Sequence, residues 1–587
     1  MIRGSVLEIP YEIPRATGSI IVLGIESTSH TFGAGLVEYQ DGKVRILANV
    51  SKQYVPEKGG IHPRDASQHH SNMAHLVIEK TFEESGVDVK DVSAVAVSVG
   101  PGLGPCLRVG ATLARFLASY FNKPLVPVNH ALAHIEIGKL ASGFRDPLVV
   151  YVSGGNTLLA VGRDRKYLVL GETLDISLGN LLDTFAREVG IAPPYVREGK
   201  HAVDICAEWG GEFIYLPYTV KGGDLSFSGL LTAALSKARE AKIAGRDALG
   251  SICRSLRETA FNMLLEVTER NLVLTEKDSV LLVGGVASNI VLRKKMEELE
   301  KIYGVKYYGT PPEVSGDNGL MIAYTGLLLH LYGVNIEPSK LTISQRLRLD
   351  EAFAPWIKTD EKPVGSKYSM RGAEAVVTPV KIANLTLVAK QRLSKTYREE
   401  VFNKVFISQR TRIEAKVLSD LVSRDLSVPA PVLIDDLNGL LIMEYVTGAK
   451  LSQIINDLDS STFRKVAESL GCQVARIHSA GIYHGDLTLA NIIYSPTKSD
   501  ITLIDFGLSG YSKEEEEYAI DLHLLDKSLR VLAPQLAEEF FKCFLESYKA
   551  CFRGSVEEVL RKLKEIRLRG RYISKEMRRM VRKNSYA

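Results

Sequence analysis

The sequence predicts an α/β chain: a duplicated, two-lobed α/β domain, then a compact bilobal domain with a small strand-rich lobe and a larger helical lobe. Three observations carry that expectation. From Ile20 to about Leu341, short β-branched runs alternate with longer segments of helical period. Within that half a three-strand opening occurs twice: Ile21 to Asn49 reads strand, polar turn, strand, turn, strand, and Val149 to Leu170 repeats it around Ser153 to Thr157. Between about Thr342 and Ser366 the periodicity fails and Pro355 and Pro363 appear; beyond it a strand-rich stretch, Ala375 to Gln391, precedes a mainly helical remainder. The expected division is therefore an N-terminal extension (1–19), the duplicated domain (20–341), a linker (342–365) and the second domain (366–587). Several domains also suit a chain of 587 residues.

Composition narrows the function. Hydrophobic residues make up 45% and charged residues 24%, which excludes a mainly disordered protein. The 73 basic and 69 acidic side chains leave a net charge of +4, which excludes a uniformly basic nucleic-acid coat but not a local patch. Six cysteines without a C-x-x-C pair point to a reducing, cytoplasmic location. Met1 to Ser19 mixes charges and prolines and reads as no signal peptide. The uncharged run Asn318 to Ile336 contains Asn318, His330, Asn335 and several glycines, so it reads as a buried helix and no membrane contact is expected.

In chain order, strands are expected at Ile20–Ile25, Val92–Val99, Leu148–Val152 and Val280–Val283, and helices at Gln68–Ser85, Leu107–Phe121, Leu178–Val189 and Arg246–Leu272. Chemistry sits at their ends. His130 and His134 open a helix four residues apart, which puts both imidazoles on one face, about 6 Å apart at Cβ, as chelation of one ion requires. A zinc peptidase needs a glutamate directly after the first histidine; here Ala131 stands there. Asp317 lies at a loop-to-helix junction, where an acid is ordinarily an N-cap. Tyr151-Val152-Ser153-Gly154-Gly155 ends a strand in a glycine turn whose amides could approach a phosphate, and Gly284 to Asn289 is a second such turn opening a helix. His62, His69, His70 and His75 read as helix-cap, packing or RNA-side residues, and His30 stays unassigned.

Taken together, Gly24-Ile-Glu-Ser-Thr-Ser-His-Thr, Gly100-Pro-Gly-Leu-Gly-Pro-Cys-Leu-Arg-Val-Gly, the His130/His134 pair, Tyr151 to Thr157, Leu174 to Asn180 with Asp183, Gly284 to Asn289 and Ser315-Gly-Asp-Asn-Gly resemble the tRNA N(6)-adenosine threonylcarbamoyltransferase family. The likeness is to its archaeal and eukaryotic form within the KEOPS complex, formerly called O-sialoglycoprotein endopeptidase. The resemblance implies an actin/Hsp70-like ATPase fold and one iron or zinc ion on His130, His134, Asp317 and Tyr151. It further implies threonylcarbamoyl adenylate lying against Tyr151 to Gly155, with Asp183 and Asn289 matching positions that contact its adenosine part and Lys200 and Asp204 as further donor-binding positions. Tyrosine, glycine-turn and carboxylate positions match one by one, except between Pro193 and Asp204. There the family's Pro-Gly-Gly-Pro is replaced by a longer stretch, and Lys200 stands where a glycine is usual.

The C-terminal half carries a phosphoryl-transfer order. Ile482-Tyr-His-Gly-Asp486-Leu-Thr-Leu-Ala-Asn491, followed by Asp505-Phe-Gly507, supplies a proton acceptor (Asp486) and two Mg ligands (Asn491, Asp505). Lys390 on a strand and Glu414 on a helix can form the pair that grips ATP phosphates, and Arg371-Gly372-Ala373-Glu374 replaces the long Gly-rich loop. Gly485 stands where regulated kinases have Arg, and the acidic run Glu514 to Glu517 reads as solvated. This half is similar to the small atypical serine/threonine kinase of the same complex, which implies protein phosphorylation or ATP hydrolysis supporting the partner domain. Arg561 to Lys583, with eleven basic residues against two acids, reads as a contact to tRNA. The expected whole is a fused tRNA-modifying enzyme using ATP and Mg, with tRNA and the small KEOPS subunits as partners. A metallopeptidase and a nucleotide-switched interaction module with a regulatory kinase are the alternatives.

Overall fold

Two sheets of the same construction organise residues 6–331. The first contains β1 (Val6–Glu8), β2 (Ile20–Glu26), β3 (Thr31–Gln40) and β4 (Lys43–Gln53), then, after α1 (Pro63–Ser85), β5 (Ala94–Gly100), α2 (Gly104–Tyr120) and β6 (Leu125–Asn129). Its order is β1-β4-β3-β2-β5-β6. Helix α3 (His130–Ser142) crosses to the second sheet, which begins with β7 (Leu148–Val152), β8 (Thr157–Arg163) and β9 (Lys166–Glu172). Next come α4 (Leu178–Val189), α5 (Ala202–Ala207), the short hairpin β10 (Val220–Lys221) and β11 (Asp224–Leu225), α6 (Ser228–Ala244) and α7 (Arg246–Thr275). The sheet is completed by β12 (Ser279–Val283), α8 (Ile290–Tyr303) and β13 (Lys306–Gly309), in the order β13-β12-β7-β8-β9. In each lobe an antiparallel meander is extended by two parallel strands on the same side, so the duplication read from the repeat is present. Strand β5, Ala-Val-Ala-Val-Ser-Val-Gly, is buried along its whole length, as a strand covered on both faces must be, whereas β4 alternates.

The computed structural model describes residues 3–567 other than 15, 17, 57–59, 192–198, 359–373, 383–384 and 497–499. After α9 (Pro312–Ser315), helix α10 (Gly319–Leu331) is buried against the first sheet. Its approach demands glycine. A Cβ at Gly24 would lie 2.1 Å from the Ala323 nitrogen, and one at Gly319 would lie 2.2 Å from the Ala34 carbonyl carbon. The uncharged run is thus a core helix, and among the described residues no helix is long and apolar enough to cross a membrane.

Both flanking segments are part of this body. In the N-terminal extension, β1 pairs with β4, and Tyr11 donates to Glu136 on α3 while its ring lies 6.2 Å from Trp356. Residues 342–358, read as the start of a linker, are a strap across both lobes: Ser344 N donates to Val99 O (2.8 Å), and Ala354 N to Arg165 O (2.8 Å). The strap has no period because its backbone groups are satisfied by the lobes rather than by a helix or sheet of its own.

The second domain opens with β14 (Ala375–Ile382) and β15 (Leu385–Arg392), then α11 (Glu400–Val422), β16 (Pro431–Asp435) and β17 (Leu440–Glu444), in the sheet order β14-β15-β17-β16. The helical lobe has β18 (Ala449–Lys450), α12 (Leu451–Ile454), α13 (Ser460–Ser479), β19 (Ile482–Tyr483), β20 (Ile492–Ser495), β21 (Asp500–Leu503), β22 (Gly510–Tyr511), α14 (Glu515–Leu532), α15 (Ala537–Cys551) and α16 (Val556–Arg567). The described part of the basic run is tied down on α16: Arg561 pairs with Glu558 and Glu565, and Arg567 with Asp526. Residues 568–583 of that run lie outside the described residues. The acidic run is not simply solvated either, since Glu517 pairs with Lys221 of the first domain at 2.7 Å.

The cysteine reading is overturned. Cys206 and Cys253 form one disulfide, joining α5 to α7, and Cys472 and Cys551 form another, joining α13 to α15. Partners 47 and 79 residues apart meet only through helix packing, which no local spacing announces. Cysteine usage therefore no longer argues for a reducing compartment. Closing loops of these lengths stabilises a fold by about 4 kcal/mol in the chain-entropy account. Cys253→Ser should lower the melting temperature by several degrees in a calorimetric scan without reductant, and an unchanged transition would mean that Cys206 and Cys253 are not bonded in solution.

Candidate functional site

His130 and His134 begin α3 because Asn129 caps it, its Oδ1 accepting from Leu132 N at 3.1 Å. Asp317 does not cap α10. That role falls to Asn318, which accepts from Met321 N, and Asp317 is left facing the histidines. Its Oδ1 lies 3.2 Å from His134 Nε2 and 3.5 Å from His130 Nε2, and one ligand atom from each of the three residues lies within 4.8 Å of the others. Tyr151, buried at the end of β7, has its ring 5.4 Å from that of His134. On the far side of His130, Nδ1 donates to the fully buried Glu26 at 3.0 Å, and Glu26 also accepts from Thr28 N at 2.6 Å. The bond from Nδ1 to Glu26 orients the ring and aims Nε2 at Asp317. Burial opposes protonation of His130, but Glu26 and Asp317 outweigh it and raise its pKa to about 9. Burial pushes His134 down; it would also raise Asp317, but the two imidazoles hold that carboxyl well below its usual range. Two imidazoles and one carboxylate on a buried wall, with an outer carboxylate orienting one ring, fit zinc or iron.

The glycine turn lies alongside. Gly284 (φ +95°) could carry no side chain, because a Cβ there would sit 2.4 Å from Val152 O and 2.9 Å from the Tyr151 ring. Ser153 Oγ accepts from the amides of Gly155 (3.2 Å) and Asn156 (2.9 Å), and Ser177 Oγ donates to Gly154 O (2.6 Å), so the turn is shaped by its own hydroxyls. Nearby, Asn289 caps α8 through Oδ1 and donates through Nδ2 to Asp204 Oδ2 at 2.6 Å. His201, a residue the sequence reading passed over, joins this group by donating to Asp183 Oδ1 at 2.9 Å. The structure thus brings Asp183, Asp204 and Asn289 into one connected cluster. Lys200 differs: its ammonium turns outward to the exposed Glu208 at 2.6 Å. Residues 193–198 of the variant stretch lie outside the described residues. Of the secondary histidines, His70 is a packing residue, its buried ring 5.6 Å from Phe32.

In the second domain Lys390 reaches Glu414 (2.8 Å) and Asp505 (2.6 Å), and Asn491 Nδ2 donates to Asp486 Oδ2 (3.0 Å). Burial would raise Asp505, but Lys390 outweighs it and brings the pKa to about 2; burial raises Asp486, Asp505 adds to this, and Arg270 opposes it. Gly372 and Ala373 lie outside the described residues. Gly485 has φ +78°, and a Cβ there would meet Leu508 O at 2.2 Å, which explains why no arginine occupies the position.

The first domain enters this second cleft. Arg270 on α7 donates to Asp486 Oδ2 at 2.8 Å and also pairs with Glu374 and Glu266. Beside it, Gly222 N at the β10–β11 turn donates to Gly485 O at 3.1 Å, and Lys527 pairs with Asp224 at 2.7 Å. Sequence reasoning missed Glu26, His201 and Arg270. For Glu26 a signal exists, an acid closing the otherwise apolar strand Ile-Ile-Val-Leu-Gly-Ile; for Arg270 there is none.

Comparison with known proteins finds relatives of both halves. The model of the tRNA N6-adenosine threonylcarbamoyltransferase family matches residues 45–324, and that of the protein kinase domain matches residues 371–536. A tRNA N6-adenosine threonylcarbamoyltransferase of Staphylothermus marinus is 65% identical over 338 residues, 57% of this chain and 100% of that protein. A probable bifunctional tRNA threonylcarbamoyladenosine biosynthesis protein of Methanobrevibacter smithii is 38% identical over 555 residues, covering 94% of this chain and 99% of that protein. Its counterpart in Methanothermobacter thermautotrophicus is 40% identical over 555 residues, covering 94% and 100%. With both halves matched in the same order over nearly their full length, the chain belongs to the family of bifunctional tRNA threonylcarbamoyladenosine biosynthesis proteins, a threonylcarbamoyltransferase domain followed by a protein kinase domain.

Proposed function

We propose that the first domain transfers the threonylcarbamoyl group of threonylcarbamoyl adenylate to N6 of the adenosine 3′ to the anticodon in ANN-reading tRNAs. The amine attacks the carbonyl carbon, the bond from that carbon to the phosphate oxygen breaks, and AMP leaves together with a proton from N6. The observation that carries this reading is the convergence of His130, His134 and Asp317 beside Tyr151 and the glycine turn. An iron or zinc ion on those ligands would supply a Lewis-acid contact and positive charge beside the donor. Glu26 holds His130 in the ligating tautomer. Tyr151, with its ring 5.4 Å from that of His134, is the further ligand in this reading and stands between the other three and the turn, and residues Val152 to Gly155 shape the seat of the acyl phosphate. Asp183, Asp204 and Asn289 hold the adenosine end. The donor is already activated, so the protein needs no nucleophile of its own and transfer is direct. Ala131 leaves the helix without the general base a peptidase would need.

The second domain, in the same reading, is a serine/threonine kinase or ATPase. Lys390 and Glu414 grip the nucleotide phosphates, Asn491 and Asp505 hold Mg, and Asp486 accepts the proton. The small KEOPS subunits are the expected partners, and a tRNA substrate places the work in the cytoplasm. Incubation with threonylcarbamoyl adenylate and tRNA tests the whole: modified adenosine should form with wild type and with Asp486→Asn, and not with His130→Ala. Cleaved polypeptide in place of modified adenosine would return the chain to the peptidases.

A further inference from the structure

We infer that His201 is a positioning residue of the transferase site, pinning Asp183 as the acceptor for the ribose hydroxyls of the donor. The inference rests on the proposed seat of the adenosine beside Asp183.

Its ground is a fixed chain of hydrogen bonds. His201 sits just before α5, almost fully buried, and its Nδ1 accepts from Val203 N at 3.1 Å. A ring nitrogen that accepts an amide proton carries its lone pair there, so the proton of the neutral imidazole is on Nε2. That nitrogen lies 2.9 Å from Asp183 Oδ1 and donates to it. The backbone N of His201 donates to Asp204 Oδ2 at 2.8 Å, the same oxygen that accepts from Asn289 Nδ2. One residue therefore links Asp183 on α4, Asp204 on α5 and Asn289 at the start of α8, three elements that otherwise approach from different parts of the lobe.

The chemistry of Asp183 follows. Its side chain is 30% exposed, one oxygen is engaged by His201, and the other has no hydrogen-bond partner among the described residues. A carboxylate held from one side by a neutral donor is an oriented acceptor with capacity left over, which suits hydroxyl groups rather than another anion. Without His201 the carboxylate would rotate freely about its side-chain torsions, and the ordering would fall on the substrate.

Two substitutions separate positioning from folding. His201→Asn keeps an oxygen able to cap α5 but is too short to reach Asp183. His201→Gln keeps a donor at about the reach of Nε2. The expected result is a rise of about tenfold in the KM for threonylcarbamoyl adenylate with His201→Asn, kcat remaining within about twofold, and recovery of KM with His201→Gln, in line with loss of one hydrogen bond to a charged group. Discrimination against donors built on 2′-deoxy- or 3′-deoxyadenosine should fall in His201→Asn as well. Asp183→Ala is the control. If Asp183→Ala raises KM and His201→Asn leaves both KM and deoxy discrimination unchanged, the role of His201 is overturned alone. If neither variant changes KM, the seat of the adenosine beside Asp183 is overturned with it. A drop in kcat with KM unchanged, or a loss that His201→Gln does not repair, assigns His201 to structure and also overturns the inference.

Discussion

His134→Ala is expected to abolish stoichiometric metal binding and to lower threonylcarbamoyl transfer by roughly 10³-fold, a loss typical of removing a group that acts in the transition state. His134 is one of three residues, with His130 and Asp317, whose ligand atoms converge within 4.8 Å of one another. Removing one imidazole takes away a ligand that α3 holds at fixed spacing from the other, and what remains is too weak a chelate for stoichiometric binding of a transition metal. The fold should survive, because α3 is anchored elsewhere: Ala133, Ile135 and Ile137 are fully buried, and Glu136 holds Tyr11 and Tyr167. Metal content by mass spectrometry and modified adenosine by chromatography read the two losses separately. Glu26→Gln sharpens the test. It keeps the shape but replaces a charged acceptor of His130 Nδ1 with a neutral amide, so a milder loss of about 10–100-fold is expected. Retained metal with full transfer in His134→Ala would detach the proposed function from this cluster.

How much of this was legible follows from the range of each interaction. The pair His130 and His134 was readable because both lie on one helix, where spacing alone sets the face. The duplicated meander was readable because turn chemistry and strand period repeat in register. Asp317 was readable as a ligand only through the resemblance, because an acid at a loop-to-helix junction is ordinarily an N-cap; here Asn318 supplies the cap one position later and the acid faces the histidines. The strap at 342–358 looked like a linker because its hydrogen bonds run to Val99 and Arg165, far away in sequence. The same reason hid the disulfide between Cys206 and Cys253 and the bond from His201 to Asp183. For the disulfide and for His201 the partner is chosen by packing of helices on the second sheet, and local pattern carries no trace of it. The order of the kinase motif was readable, but what faces it was not.

What faces it yields the other large effect. Arg270→Ala should raise phosphorylation of an added protein substrate, or of the chain itself, by about 10–100-fold, and Asp486→Asn should remove it. In the intact chain the oxygen of Asp486 that would accept a hydroxyl proton is bound to Arg270 at 2.8 Å, and the β10–β11 turn lies on Gly485 beside it. A hydrogen bond to a charged group of that kind contributes about 1.5–3 kcal/mol, which sets the size of the release. Two effects oppose it. Arg270 also lowers the pKa of a carboxyl that burial and Asp505 raise, so its loss moves Asp486 toward the protonated, inactive form. Arg270 also neutralises Glu374 and Glu266, and removing one member of a buried network costs about 3–5 kcal/mol of stability. Bound Mg would replace the lost positive charge near Asp505 and Asp486 and offset the first effect. Arg398 and Arg410 still pair with Glu266, and Arg410 with Glu374, which limits the second. The release therefore outweighs both, with a lower melting temperature as its companion. The same substitution leaves the His130, His134 and Asp317 cluster untouched, so threonylcarbamoyl transfer measured in parallel tells whether the kinase cleft governs the first domain. Unchanged phosphorylation in Arg270→Ala, with ATP binding intact, would mean that the contact between Arg270 and Asp486 does not restrain the kinase.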